Sequence, residues 1–140
     1  MTEQELQTNV CDYLKFQYPY VIFHSDFGAG TKLSISQARR QARQSWGRGL
    51  PDLAIYEPTV HGKALFLELK REGVRLKKKN GEWATPHIAE QAEVLDKLED
   101  KGYVALFAVG WEQAKTIIDA YLNEDDCLEL VEDDDDTTVF

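Results

Sequence analysis

Hydrophobic residues recur every three or four positions in three segments of the chain, a spacing typical of amphipathic helices. In the first segment, Leu6, Val10 and Leu14 fall on one face, and Thr2 stands where a helix cap is expected. A fourth, largely polar segment that carries three arginines also has a helical composition. The pattern predicts helices over residues 3–17, 34–46, 86–100 and 111–122.

Four shorter segments, rich in β-branched and aromatic residues, predict strands. They cover residues 20–24, 53–56, 64–69 and 103–109. The third strand is apolar on both faces, so we expect it at the centre of a sheet. Because a helix separates the third and fourth strands, these two are expected to be parallel neighbours joined by a crossover. The order αβββαβ therefore predicts an α/β fold, with a central mixed sheet flanked by helices.

The length of 140 residues is that of one domain with a sizeable core, which we assign to residues 1–122. Residues 123–140 carry nine acidic side chains and no basic one, so this C-terminal tail is expected to be disordered. No run of about 18 apolar residues and no signal-peptide pattern occurs, which favours a cytoplasmic protein outside the membrane. Cys11 and Cys127 are far apart in the sequence and belong to no metal-binding spacing, so we expect both to be free thiols in a reducing compartment.

The net charge of −9 is unevenly distributed along the chain. Residues 31–80 carry 12 Lys and Arg against 4 Asp and Glu, whereas the acidic excess lies in the tail. Attraction to phosphate depends on the local patch rather than on the total charge. A nucleic-acid partner is therefore compatible with this composition.

Two carboxylates and one ammonium group are predicted to meet at one edge of the sheet. Asp52 begins the second strand, and fifteen residues later Glu68, Leu69 and Lys70 end the third. Successive side chains of a strand alternate in direction, so Glu68 and Lys70 share a face, which Asp52 can reach from a paired strand. Such a set can hold a divalent cation and activate a water. Taken singly, each piece is also typical of an ordinary turn or an exposed strand edge.

A third carboxylate, Glu3, is predicted to face inward from the first helix. At 100° per residue, Glu3 projects within about 20° of Val10, whereas Glu5 falls on the far side. A carboxylate on the core side of a helix is unusual. The alternative is an ordinary acidic residue in the first turn, where the helix dipole favours it.

Four elements in register resemble one nuclease family. They are Glu3-x-x-Leu6-Gln7, Gly49-Leu50-Pro51-Asp52-Leu53, Phe66-Leu67-Glu68-Leu69-Lys70 and Gln91. Over residues 3–122 the chain resembles the VRR-NUC family of the PD-(D/E)xK nuclease superfamily, specifically its small stand-alone members of phages and prophages. The resemblance implies a restriction-endonuclease-like fold and a divalent-metal phosphodiesterase that acts on DNA. It also implies a homodimer similar to Holliday-junction resolvases, located in a bacterial or phage-infected cell.

The resemblance also implies a role for each matching residue. The implied metal ligands are Asp52, Glu68, the Leu69 carbonyl and Glu3, the last directly or through a water. Lys70 would be the catalytic ammonium group, and Gln91 would position Lys70, the water or a phosphate. The implied cofactor is Mg²⁺, for which Mn²⁺ is expected to substitute.

Basic residues before and after these motifs predict a path for the DNA backbone. Three arginines share one side of the helix at 34–46, and a longer insert at 71–87 carries a basic run around the hairpin signal Asn80-Gly81. Solvated charged surfaces are the alternative explanation for both, and Trp83 in the insert either stacks on a base or joins the core. The predicted DNA contacts are Arg39, Arg40, Arg43, Arg48, Arg71, Arg75, Lys77, Lys78 and Lys79.

These observations together predict an Mg²⁺-dependent DNA endonuclease that selects for branched or junction DNA structure. The first alternative is a non-catalytic DNA-binding protein that retains the nuclease fold, against which the complete Asp52, Glu68 and Lys70 set argues. The second is a sequence-specific restriction-type endonuclease, against which the lack of a separate base-reading module argues.

Overall fold

A computed structural model describes residues 1–26 and 33–125 as four helices and four strands. The helices are α1 (Glu3–Gln17), α2 (Ile35–Gln44), α3 (Pro86–Asp100) and α4 (Gly110–Leu122). The strands are β1 (Phe23–Ser25), β2 (Leu53–Ile55), β3 (Leu65–Lys70) and β4 (Val104–Val109).

The four strands form one mixed sheet in the order β1-β2-β3-β4. The β1–β2 and β2–β3 pairs are antiparallel, and Leu53 lies opposite Leu67 in the second pair. β3 and β4 are parallel and joined by α3. β3 therefore lies inside the sheet, between β2 and β4, and its ladder with β4 is the longest of the three. The predicted α/β class, the mixed sheet and the crossover are confirmed.

The two faces of the sheet are covered by different helices. On one face, Leu65, Leu67 and Leu69 of β3 pack with the apolar sides of α1 and α4. On the other face, α3 and the hairpin around Leu76 cover β4 and Phe66. The alternation along β3 thus places residues 66, 68 and 70 on the α3 face.

The bounds of several elements differ from the sequence prediction. The predicted bounds of the first strand, residues 20–24, are wrong, because β1 begins at Phe23 and ends at Ser25. After α1 the chain turns, with the Val21 amide donating to the Tyr18 carbonyl at 3.0 Å, so the β-rich residues 20–22 precede the strand. α2 is shorter than predicted and begins after Ser34, whose side chain caps it. β3 extends to Lys70, which brings this side chain into the strand.

The hairpin predicted at Asn80-Gly81 is present, with the Ala84 amide donating to the Leu76 carbonyl at 2.8 Å. The acidic tail lies almost wholly outside the described residues, so its disorder and the domain boundary stay predictions. Cys127 lies outside them as well, and Cys11 is a half-buried free thiol. None of the helices described is long and apolar enough to cross a membrane.

One carboxylate ties α1 to α4. The hydroxyls of Tyr13 and Tyr18 donate to Asp119 Oδ1 at 2.6 and 2.7 Å, and Lys115 Nζ lies 3.1 Å from its other oxygen. Burial alone would raise the pKa of Asp119, but these hydrogen bonds outweigh burial and hold its pKa below the ordinary value. Ionised Asp119 therefore stabilises the contact between the two helices.

Replacing Asp119 with Asn is expected to lower the free energy of unfolding by about 1–2 kcal/mol at pH 7, because charge-assisted hydrogen bonds are lost. A lowered folded-state pKa contributes stability above the unfolded value, and this stability is lost as the pH falls through the folded value. The difference between wild type and variant in urea unfolding should therefore shrink in acid. An equal difference at pH 7 and at pH 3 would contradict this role.

Candidate active site

The site lies at the end of the β2–β3 ladder, one residue before β2 begins. The register that pairs Leu53 with Leu67 places Asp52, one residue before β2, beside Glu68. Both side chains then lie on the sheet face covered by α3. Asp52 is half-buried, whereas only 3% of Glu68 is exposed. The two carboxylates that the sequence predicted to converge are therefore neighbours in the structure.

Asp52 is held by backbone groups on both sides. The Leu69 amide donates to Asp52 Oδ2 at 2.9 Å, and the Asp26 amide donates to the Asp52 carbonyl at 2.7 Å. Gln7 of α1 continues this chain of contacts, because its side-chain amide donates to Ser25 Oγ and to the Asp26 carbonyl. This link from α1 through the end of β1 to Asp52 was not predicted, since the sequence marked Gln7 only as part of a motif.

Two polar side chains, those of Gln91 and Lys70, contact the Glu68 carboxylate. Gln91 of α3 donates from Nε2 to Glu68 Oε1 at 2.7 Å, and Lys70 Nζ lies 3.9 Å from the same oxygen. Lys70 and Gln91 are themselves buried, with 7% and 6% exposure. Gln91 was expected beside Lys70, a water or a phosphate, so its contact with Glu68 is a new feature of the site.

Two oxygens of this cluster remain without a partner. Among the described residues, neither Glu68 Oε2 nor Gln91 Oε1 has a hydrogen-bond partner, although both atoms are buried. Buried polar atoms are normally satisfied, and exceptions often mark a functional site. The unpartnered Glu68 oxygen lies in a cluster whose neighbouring carboxylate, Asp52, adds further negative charge.

Burial and repulsion raise the pKa values of both carboxyl groups. For Glu68, desolvation is the largest cause, and the charge of Asp52 adds to it, so that its pKa is held well above the usual range. Desolvation also raises the pKa of Asp52, while the Leu69 amide and Lys70 oppose the shift. A second positive charge at this position would relieve both effects.

Glu3 lies within electrostatic reach of the pair. It is half-buried in the first turn of α1, and its charge helps to raise the pKa of Asp52 and of Glu68. With Arg71, Glu3 lines a shallow cavity at the start of α1. Across residues 1–26 and 33–125, no three His, Cys, Asp or Glu side chains are close enough together to form a metal cluster.

Gly49 fixes the approach of the Asp52 segment to α3. Its φ of +79° lies in the left-handed region, and a Cβ there would stand 3.3 Å from Val94 Cγ2 and 3.6 Å from Gln91 Cα. Only glycine adopts this conformation readily and leaves room for α3. The backbone before Asp52 therefore lies against the turn of α3 that presents Gln91 to Glu68.

The basic residues predicted to contact DNA are almost all exposed. α2 buries none of its residues, so its three arginines are free to meet a ligand. Lys77 is half-buried, with Nζ 4.8 Å from the centre of the Trp83 ring. Trp83 packs on Phe107 at 5.7 Å between ring centres, which favours its role in the core over base stacking. The exposed residues are Arg39, Arg40, Arg43, Arg48, Arg71, Arg75, Lys78 and Lys79.

Comparison with solved structures finds chains of similar fold, of which the first supports the fold described above. A solved structure described as "VRR_NUC domain protein" aligns at 27% sequence identity over 88% of this chain and 89% of its own length, with a TM-score of 0.64. A second, described as "VRR_NUC domain", covers 86% of this chain and 99% of its own at 17% identity, with a TM-score of 0.46. No family model and no curated protein matches the sequence.

The mixed sheet flanked by helices is consistent with a restriction-endonuclease-like fold, and the Asp52, Glu68 and Lys70 cluster lies on its α3 face. The alignment with the VRR_NUC domain protein confirms the resemblance to the VRR-NUC family that the sequence motifs predicted.

Replacing Gly49 with Ala is expected to lower the free energy of unfolding by about 1–2 kcal/mol, because a Cβ strains the positive φ and crowds α3. Gly47→Ala is the matched control, since a Cβ at residue 47 meets no atom within 4 Å. Urea unfolding of both variants checks this prediction. Equal stability of the two variants would show that the close approach to α3 is unimportant.

Proposed function

We propose that this protein is a divalent-metal-dependent endodeoxyribonuclease that acts on branched DNA, including Holliday junctions, as a homodimer. The observation that carries the proposal is the pair formed by half-buried Asp52 and buried Glu68, with Lys70 beside Glu68 and one Glu68 oxygen without a partner. A charged cluster of this kind is unfavourable in a folded protein unless it is used.

The residues present fit a hard divalent cation. The Glu68 Oε2 atom is buried without a donor, and both carboxyl groups carry raised pKa values that a cation would lower. The available ligands are oxygens, which suit Mg²⁺ and Mn²⁺. Asp52 and Glu68 would hold the ion, with Glu3 as a ligand or a partner of its water. Water and phosphate oxygens complete such sites, so two carboxylates suffice.

The Leu69 carbonyl is a suitable third ligand. In an extended strand, the amide and carbonyl of one residue point to the same side. The Leu69 amide donates to Asp52, so its carbonyl also faces the Asp52 side of β3. Leu69 therefore offers a backbone oxygen without placing another charge in the site.

Each side chain of the site has a separate role in the proposed hydrolysis of the phosphodiester bond. When bound by Asp52 and Glu68, Mg²⁺ would supply a water of lowered pKa and a charge that polarises the phosphate. Lys70 is buried on the same face and brings a fixed positive charge, which stabilises negative charge developing on the phosphate oxygens or orients the attacking water. Gln91 touches Glu68 rather than the substrate, so it acts as a positioning residue for that carboxylate.

The exposed basic residues supply the DNA surface. The arginines of α2 precede the Asp52 segment in the chain, and Arg71 directly follows Lys70, so positive charge flanks both active-site strands. Backbone contacts of this kind bind DNA without reading its sequence. Selection by DNA structure follows, and symmetric cutting of a junction requires two sites related by a two-fold axis.

Replacing Glu68 with Gln is expected to raise the melting temperature in EDTA by a few degrees, because the folded protein must either protonate the buried Glu68 carboxyl group or bury its charge, whereas the amide requires neither. Mg²⁺ or Mn²⁺ should raise the melting temperature of the wild type and leave that of Glu68→Gln unchanged, since only the former binds the ion. Asp12→Asn, at an exposed position outside the cluster, is the matched control and should respond as the wild type does. Thermal denaturation with and without metal provides the measurement. Equal stabilisation of all three proteins by the metal would place its binding elsewhere.

Cleavage of labelled four-way junction, flap, linear duplex and single-stranded DNA tests the activity itself. We expect metal-dependent cutting of the junction at paired positions, and a loss of rate of about 10²-fold or more in Asp52→Asn and Lys70→Met, because each removes charge from the reacting centre. Asp12→Asn and Lys101→Met are matched, exposed controls that should retain the wild-type rate. DNA binding without cutting in either Mg²⁺ or Mn²⁺ would contradict the enzymatic proposal and leave a DNA-binding protein.

A further inference from the structure

Trp46 is an exposed aromatic side chain in the segment that leads to the active site. Its exposed fraction is 68%, although tryptophan is among the most extensively buried residues on average. It lies between Arg43 and Arg48, both exposed, six residues before Asp52. An exposed indole ring in a segment with an arginine on either side in the sequence has the composition of a nucleic-acid contact rather than of a core.

The other two tryptophans in the chain have packing partners. Trp83 packs on Phe107, and Trp111 packs edge to face on Tyr13 with ring centres 5.4 Å apart. Both are half-buried beside the two core clusters. Trp46 has no such aromatic neighbour among the described residues, so packing of the domain does not account for it.

α3 connects Trp46 to the catalytic cluster. Lys97 Nζ lies 5.4 Å from the centre of the Trp46 ring, and Lys97 is itself paired with Glu93 at 3.3 Å. Three residues after Trp46, Gly49 lies so close to α3 that a Cβ there would stand 3.3 Å from Val94 Cγ2 and 3.6 Å from Gln91 Cα. The segment from Trp46 to Gly49 therefore runs along α3 toward the turn that holds Glu68.

We propose that Trp46 stacks on an unpaired base of the DNA strand bound beside the active site. Lys97 lies over one face of the Trp46 ring and leaves the other face open for a base. Its positive charge also attracts the phosphate groups next to that base. The flanking arginines supply further backbone contacts. Every base presents a π-face, so stacking is sequence-tolerant, whereas the bases of an intact duplex are already stacked on one another.

This inference rests on the proposed nuclease function and narrows its substrate. Trp46 selects DNA that offers unpaired or easily unstacked bases near the cutting site, such as single strands, flaps and branch points. Blunt duplex DNA meets only the basic side chains. The residue thus discriminates by DNA structure at a distance from the metal-binding carboxylates.

Binding without cleavage tests the inference separately from catalysis. Fluorescence anisotropy in EDTA would compare a labelled single strand with the blunt duplex of the same sequence, using wild type, Trp46→Ala and Trp46→Phe. We expect Trp46→Ala to weaken single-strand binding about tenfold and duplex binding far less, with Trp46→Phe in between. Phe16→Ala removes an aromatic side chain that is 86% exposed on α1, and it should bind as the wild type does.

Salt and oligomeric state complete the test. The ratio between Trp46→Ala and wild type should persist when salt is raised, because stacking releases no counterions, whereas the loss in Arg43→Ala should shrink. Equal losses of affinity for the single strand and for the duplex in Trp46→Ala would overturn the inference and make Trp46 a DNA contact without structure preference. A shift to monomer in sedimentation that is confined to Trp46→Ala would also overturn it, because Trp46 would then belong to a protein–protein contact. A wild type that binds no DNA would overturn the proposed function instead.

Discussion

The proximity of two carboxylates on a covered sheet face is the constraint on which the rest of this structure depends. Burial raises the pKa values of both Asp52 and Glu68, and the charge of Asp52 raises the pKa of Glu68 further. The protein offsets this only in part, through the Leu69 amide, the Gln91 amide and the Lys70 ammonium group. In the proposed function, a divalent cation bound at this point would offset the remaining unfavourable energy, so that stability would be exchanged for function.

The scaffold serves to keep this unfavourable arrangement in place. The buried pairs Leu53–Leu67 and Ile55–Leu65 fix the register of β2 and β3, and a slip by one residue would turn Glu68 toward α1 and α4. On the opposite side, Gly49 allows the Asp52 segment to approach α3 closely enough for Gln91 to reach Glu68. Packing of the core and geometry of the site therefore depend on the same contacts.

The parts of the site that follow from chain periodicity could be predicted, and those that follow from tertiary contact could not. The alternation of β3 placed Glu68 and Lys70 on one face, and α1 and α3 have the predicted bounds. The partner of Gln91 depends on how α3 crosses the sheet, which no local pattern specifies. The start of β1 was misplaced because a turn after α1 overrode the β propensity of residues 20–22.

The most direct test of this account is the position of a bound ion. Crystals grown with Mn²⁺ and a DNA substrate, measured at a wavelength where manganese scatters anomalously, would locate the metal without reference to activity. The account predicts a peak within coordination distance of Asp52 and Glu68, which disappears in Asp52→Asn. A manganese peak elsewhere, with the two carboxylates left without an ion in the presence of DNA, would contradict it.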